Sequence, residues 1–221
     1  MNVIVLLGAP GAGKGTQAPI LSTHVGVPHV ATGDLFRAAV RDGSPVGVQA
    51  RRFMERGQLV PDDITIAMLL ARLGDADAAG GVILDGFPRN RAQAVALDAA
   101  LTERGTSVSR ALSIEVPTDE LVRRLSGRWV CSASGHVFNE HSNRPKVEGA
   151  CDLDGSTLIQ REDDKAETIR ARMDLTLASL AEVGAYYRAI RVLRVVDGVQ
   201  PIIAVTAALL AALSVDTLEA V

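Results

Sequence analysis

Lysine is nearly absent from this chain. Lys14, Lys146 and Lys165 stand against 20 arginines in 221 residues. Two readings of that imbalance stay open: a general composition bias, or a need for guanidinium forks that grip phosphate bidentately. The net charge is -3 and the sequence pI is near 5.8, so no basic field points to nucleic acid. Cysteine is scarce too: Cys131 and Cys151 are the only two, which excludes a disulfide-dense secreted scaffold. Long apolar runs are missing. The longest, from Pro201 to Leu213, is too short to span a bilayer and contains Thr206. The apolar start, Val3 to Leu7, has no basic residues before it and glycine directly after it, unlike a signal peptide. These absences lead us to expect a cytoplasmic protein with no membrane and no nucleic-acid partner. What is present, 48% apolar and 22% charged residues, describes a globular chain with one core and room for small inserts.

Short apolar runs punctuated by glycine or proline read as buried parallel strands at Val3–Leu7, Val27–Val30, Val82–Leu84, Ala111–Val116 and Arg191–Val196. Helical patterns lie between them, at Gly15–Val25, Ile64–Leu73, Arg91–Arg104, Thr118–Leu125, Ala166–Arg188 and Pro201–Leu213. Alternation of this kind predicts an α/β fold, a parallel sheet flanked by helices. Two stretches break it. Residues 31–60 are polar and helical with no strand. Residues 127–164 are rich in Gly, Ser, Asn and Pro and hold both cysteines, which reads as an inserted subdomain of short strands. There is no internal repeat and no low-complexity segment.

The first predicted strand runs into Gly8-Ala-Pro-Gly-Ala-Gly-Lys-Gly-Thr16. Strand, glycine-rich loop and helix together match the phosphate-binding P-loop. Backbone N–H groups turn inward around phosphate oxygens, the helix dipole adds to them, and Lys14 supplies charge to the outer phosphates. Gly15 separates Lys14 from Thr16, where the general motif has the hydroxyl directly after lysine. No N-K-x-D motif occurs, so a guanine-nucleotide switch is excluded. Asp85 ends the third predicted strand facing the loop. There it can hold waters of a bound Mg2+ ion, or simply cap the turn.

Taken together, the chain resembles the adenylate kinases, within the nucleoside monophosphate kinases. The carriers are Gly8 to Thr16, Thr32-Gly-Asp-Leu-Phe-Arg37, Gly57-Gln-Leu-Val60, Asp85-Gly-Phe-Pro-Arg89 with Gln93, Gly127-Arg128, and Arg161-Glu-Asp-Asp164 with Arg172. The resemblance implies a core of 1–30, 61–126 and 165–221, a helical AMP-binding insert at 31–60, and a small β-rich lid at 127–164. It implies reversible phosphoryl transfer from Mg-ATP to AMP, giving two ADP. It places ATP on Gly11, Ala12, Gly13, Lys14, Gly15, Thr16, Arg124, Arg128, Val137, Phe138 and the backbone near Gln200. It places AMP on Thr32, Arg37, Gln58, Leu59, Val60, Gly86, Phe87, Pro88, Arg89, Gln93, Arg161 and Arg172. Lys14, Arg89, Arg128, Arg161 and Arg172 would carry catalysis, as cations closing around two mutually repelling polyanions. Asp163 and Asp164 could hinge the lid or orient its arginines. A monomer is the simplest state for an enzyme with two moving covers.

The rivals are a UMP/CMP kinase on the same scaffold and a nucleotide sensor without chemistry. Gln93, whose carboxamide can both donate to and accept from an adenine edge, favours AMP. The arginines that a sensor would have lost are all present.

Some long-lid relatives hold a structural Zn2+ through C-x2-C followed by C-x2-C or C-x2-D. This chain offers Cys131, Ser134, Cys151 and Asp154 at those places, and serine is a poor zinc ligand. The readings are a zinc site, a metal-free polar cluster, a Cys131–Cys151 disulfide, or His136 or His141 standing in as a ligand, with each histidine read first as a surface residue.

Overall fold

The structure, a computed structural model, describes residues 1–55, 60–160 and 166–214, with the backbone alone at 166–168 and 170–172. The chain is α/β. Five parallel strands, β1 (Asn2–Leu7), β2 (His29–Ala31), β3 (Gly81–Asp85), β4 (Val108–Glu115) and β8 (Leu193–Asp197), lie in the order β2-β3-β1-β4-β8. Central β1 is buried on both faces, which is why it reads as an unbroken apolar run.

Alternation along β1 divides the core in two. Val3, Val5 and Leu7 pack beneath α4 (Asp62–Arg72), α5 (Arg91–Glu103) and α7 (Ala166–Ala189), through Leu69, Leu97, Leu101 and Tyr187. Ile4 and Leu6 pack on the other face beneath α1 (Lys14–Val25), α6 (Thr118–Ser126) and α8 (Ile202–Ser214), through Leu21, Leu121, Leu125 and Leu209. Truncating any of these leucines to alanine leaves a cavity worth about 2–5 kcal/mol.

Several strand limits differ from the sequence reading. β2 starts at His29 rather than Val27, because pairing with β3 begins at His29↔Ile83. β4 begins at Val108; polar Ser109 and Arg110 hide its first turns from a hydrophobicity pattern. β8 begins two residues late because Arg191 makes a turn after α7 at φ +62, a conformation that costs a side-chain-bearing residue roughly 1 kcal/mol. A 3-10 turn at Ala76–Ala78 was not foreseen. Ser214 belongs to α8, and residues 215–221 lie outside the described residues.

Between β2 and α4, two helices, α2 (Thr32–Arg41) and α3 (Pro45–Met54), form a small core of Phe36, Ala50 and Val60. Ser44 caps α3, its hydroxyl accepting from Gly47 N–H at 3.1 Å. After α6, a separate antiparallel sheet comprises β5 (Arg128–Cys131), β6 (Val137–Asn139) and β7 (Leu158–Ile159), in the order β6-β5-β7. Cys131, Phe138, Cys151 and Leu158 make its core, with Trp129 against them. The Trp129 indole N–H donates to Glu140 at 2.9 Å, and Gln160 donates to the Ser126 carbonyl at 2.7 Å, joining the two ends of the insert.

Candidate active site

The C-terminal edge of the parallel sheet gathers the functional side chains. β1 feeds the loop 8–13 directly into α1. Gly13 caps that helix at φ +102, a left-handed conformation that suits glycine and aims the first N–H groups of α1 out of the loop. The Lys14 ammonium folds back, donating to the carbonyls of Gly8 at 2.8 Å and Ala9 at 3.3 Å. Burial lowers its pKa; Asp85 opposes that, while the charges of Arg89 and Arg128 add to it. Lys14, Asp85, Arg89 and Arg128, drawn from the first turn of a helix, two strands and a turn, therefore share one electrostatic neighbourhood.

Asp85 ends β3 between Leu6 of β1 and Ala31 of β2. Its Oδ2 lies 3.3 Å from His29 Nε2. Burial pushes the carboxyl pKa up. The His29 hydrogen bond and the Lys14 and Arg89 charges outweigh it and hold the pKa below the ordinary value. A carboxylate kept ionised beside the phosphate loop fits a hydrated divalent cation. His29 is the residue that sequence reasoning passed over; its only signal was a polar side chain one strand away from Asp85.

The turn after Asp85 is built from reciprocal hydrogen bonds. The Gly86 carbonyl accepts from Thr32 Oγ1 at 3.1 Å and from Arg89 Nε at 2.8 Å. A Cβ on Gly86 would stand 3.2 Å from the same Thr32 oxygen. Gln93 is buried; its Oε1 accepts from Arg89 N–H at 2.7 Å and its Nε2 donates to Asp62 at 2.6 Å. Asn90 caps α5, accepting from Gln93 N–H at 2.8 Å, and donates to Asp62 at 3.1 Å. Gln93 thus fixes the turn that carries Arg89, one acceptor site and one donor already engaged. A cleft of about 310 Å³ opens between this turn and the phosphate loop, lined by Gly8, Pro10, Lys14, Pro88, Arg89 and Leu175.

The other residues named from the sequence are spread around that cleft. Arg37 pairs with Asp34 on its own helix. Val60 packs in the core of α2 and α3. Arg124 bonds Glu120 at 2.7 Å and reaches the Gly198 carbonyl at 3.0 Å, which joins it to the loop carrying Gln200. Arg123 first, then Arg124, hold Glu120 down to about 2 despite some burial. Val137 is exposed, whereas Phe138 is buried in the small sheet's core. Gln58, Leu59, Arg161, Asp163 and Asp164 lie outside the described residues. Arg172 lies on α7 with its side chain outside the description.

In the cysteine cluster the structure brings His136, one of the stand-in ligands named from the sequence, to the two thiols and Asp154. Cys131 and Cys151 head two matching turns: Cys131 N–H donates to His136 O and Cys151 N–H to Ser156 O, both at 2.8 Å. Both thiols are free, so the disulfide reading is not the one adopted. The Ser134 hydroxyl donates to Asp154 at 2.6 Å, and the His, Cys and Asp side chains gathered closely enough to hold a metal ion are Cys131, His136, Cys151 and Asp154, whose ligand atoms all lie within 4.8 Å of one another. His136 is no bystander: its Nδ1 is 3.3 Å from Cys151 Sγ and 3.5 Å from Asp154. The Ser134 hydroxyl and Ser156 N–H hold the Asp154 pKa far below the usual carboxylate range, against its partial burial. Two sulfurs, one nitrogen and one carboxylate oxygen at these separations fit tetrahedral zinc, whose ligand atoms sit about 3.3–3.8 Å apart.

Comparison with known proteins agrees along most of the chain. The family model described as adenylate kinase matches residues 6–192. A protein of Streptomyces griseus called adenylate kinase is 52% identical over 187 residues, covering 84% of this chain and 85% of its own. A second of that name, from Acidothermus cellulolyticus, is 46% identical over 210 residues, 95% of this chain and 97% of its own. A third, from Thermodesulfovibrio yellowstonii, is 48% identical over 195 residues, 88% and 91%.

Proposed function

The chain belongs to the adenylate kinase family, and from that premise we propose that its cleft transfers a phosphoryl group reversibly between ATP and AMP, giving two ADP. The observation that carries this reading is the convergence of Lys14, Asp85, Arg89 and Arg128 at the sheet edge. The acceptor phosphate is itself the nucleophile, so no nucleophilic side chain is needed. Lys14 and the N–H groups of residues 11–16 hold the donor phosphates; the family pattern assigns the AMP phosphate to Arg37 and Arg89. Arg128, Arg161 and Arg172 neutralise the charge that spreads over the transferring oxygens. Asp85, kept ionised beside the loop, would hold Mg2+, which when bound would supply further positive charge to the donor phosphates. The segment 127–164 acts as a lid that shuts out water and prevents hydrolysis, and 31–60 covers AMP.

The lid carries Zn2+ on Cys131, His136, Cys151 and Asp154 in this reading, as a staple for a subdomain whose apolar core is four residues with one neighbour. Monomeric, cytoplasmic operation belongs to the same reading; among the described residues no helix is long and apolar enough to cross a membrane. A coupled assay for ADP from ATP plus AMP, with UMP, CMP and GMP in parallel, tests the assignment. Turnover of AMP well ahead of the others supports it, and preference for UMP or CMP overturns it.

A further inference from the structure

Gln93 is 2% exposed, and both ends of its carboxamide are engaged. Its Oε1 accepts from the Arg89 N–H at 2.7 Å, and its Nε2 donates to Asp62 Oδ1 at 2.6 Å. A backbone N–H can only donate, and an ionised carboxylate can only accept. An inverted amide would set NH2 against N–H and oxygen against carboxylate. The two neighbours therefore dictate which end of the amide is oxygen and which is nitrogen. Asn90 is held in the same way. Its Oδ1 accepts from the Gln93 N–H at 2.8 Å, and its Nδ2 donates to Asp62 Oδ2 at 3.1 Å. One carboxylate thus fixes two carboxamides, one on each oxygen.

Asp62 stands in the first turn of α4, where the helix dipole favours acids. That role needs only a charge near the helix end, and exposed Asp63 beside it supplies one. The Asp62 carboxylate instead reaches α5 and its cap, 31 and 28 residues along the chain. With these bonds made, the Gln93 amide keeps one N–H and one oxygen lone pair. Adenine sets its 6-amino donor beside a ring-nitrogen acceptor, which matches that pair: amide oxygen to the amino group, amide N–H to the ring nitrogen. A 6-oxopurine has an acceptor where adenine has the amino donor. Held in its present sense, the amide meets that oxygen with its own oxygen. Free to invert, it would meet it with N–H.

We propose that Asp62 is a specificity-determining positioning residue. By fixing the sense of the Gln93 amide, it makes the acceptor site take a 6-aminopurine monophosphate and reject a 6-oxopurine one. The proposal rests on the adenylate kinase reading, in which Gln93 meets the base of AMP. Asp62 acts through Gln93, so its loss shows in the choice between acceptors and leaves the donor side alone.

The test compares Asp62→Asn and Asn90→Ser with the parent protein, using AMP and inosine monophosphate as acceptors. Asp62→Asn keeps the shape but offers one oxygen to two donors, so an amide must invert or give up its bond. The ratio of kcat/KM for AMP to that for inosine monophosphate falls about tenfold, the scale of one bidentate base contact. KM for ATP stays within about twofold. Asn90→Ser still caps α5 and cuts only the neighbouring bond to Asp62, so the ratio holds within about twofold. Calorimetric titration of the two monophosphates without ATP shows the same narrowing of Kd in Asp62→Asn, independently of turnover. A ratio unchanged in Asp62→Asn, with or without a lower thermal midpoint, overturns the proposal and leaves Asp62 a helix-end charge. A ratio that falls equally in Asn90→Ser also overturns it. A parent that prefers UMP or CMP removes the AMP reading, and the proposal with it.

Discussion

His29 Nε2 and Asp85 Oδ2 meet 3.3 Å apart across adjacent parallel strands, β2 and β3. The histidine occupies one carboxylate oxygen and thereby limits how far Asp85 can turn onto Lys14. Replacing His29 with Ala removes that restraint and lowers kcat/KM about tenfold, the scale of one hydrogen bond to a charged group. Glutamine can donate from a similar place, so His29→Gln recovers most of the loss. Steady-state kinetics of both variants decide it; equal losses in Ala and Gln would show that ring packing alone matters.

Lys14 folds over the Gly8 and Ala9 carbonyls and points at the space where donor phosphates bind in the proposed mechanism. Lys14→Met keeps the stem and deletes the charge. The expected outcome is a fall in kcat of about 10³-fold with an unaltered circular dichroism spectrum. A loss of only a few fold would remove Lys14 from the transition state.

Zinc content separates the two candidate ligand sets. Protein purified without added zinc carries close to one equivalent by mass-spectrometric metal analysis. Ser134→Ala leaves that content unchanged, because the serine donates to Asp154 instead of facing a metal. His136→Ala lowers it several-fold. Zinc below a tenth of an equivalent in the parent would leave a metal-free polar cluster.

Asp98 accepts a hydrogen bond from Tyr186 at 2.9 Å, and its other oxygen, Oδ1, is buried without a hydrogen-bond partner, as is the Tyr187 hydroxyl. Burial raises the Asp98 pKa above its ordinary value of 3.8, against the pull of Tyr186. The folded state therefore binds this proton more tightly than the unfolded chain. Its stabilising share is complete below the ordinary value and is lost as pH rises through the raised one. Asp98→Asn removes that slope. Thermal midpoints from about pH 4 to about pH 7 will fall more steeply in the parent than in the variant; parallel curves would contradict the assignment.

The core was legible where burial is two-sided. Val3 to Leu7 announces a central strand because every residue there is covered, and the glycines after it admit few structures other than a phosphate loop. Legibility failed where polar residues do structural work. Ser109 and Arg110 lie inside β4, and His29 on β2 is a polar strand residue that meets Asp85. Gln93 was read for its reach to adenine, yet its carboxamide also builds the turn under Arg89, through contacts with Asp62 that no local spacing reveals. His136, one of the stand-in ligands that the sequence offers, ranks behind Ser134 there for a geometric reason. The expected ligand sits three residues after Cys131, whereas the turn closes at the fifth and brings a different side chain over the sulfurs.

Trp129, which packs on the small sheet and donates to Glu140, is the chain's single tryptophan. Indole emission therefore arises from the insert alone, and the five-stranded core is silent at wavelengths that excite only indole. Melting followed by tryptophan fluorescence will report one subdomain, and melting followed by far-ultraviolet dichroism will report mostly the other. The separation between the two curves measures how strongly the insert is coupled to the body that bears it.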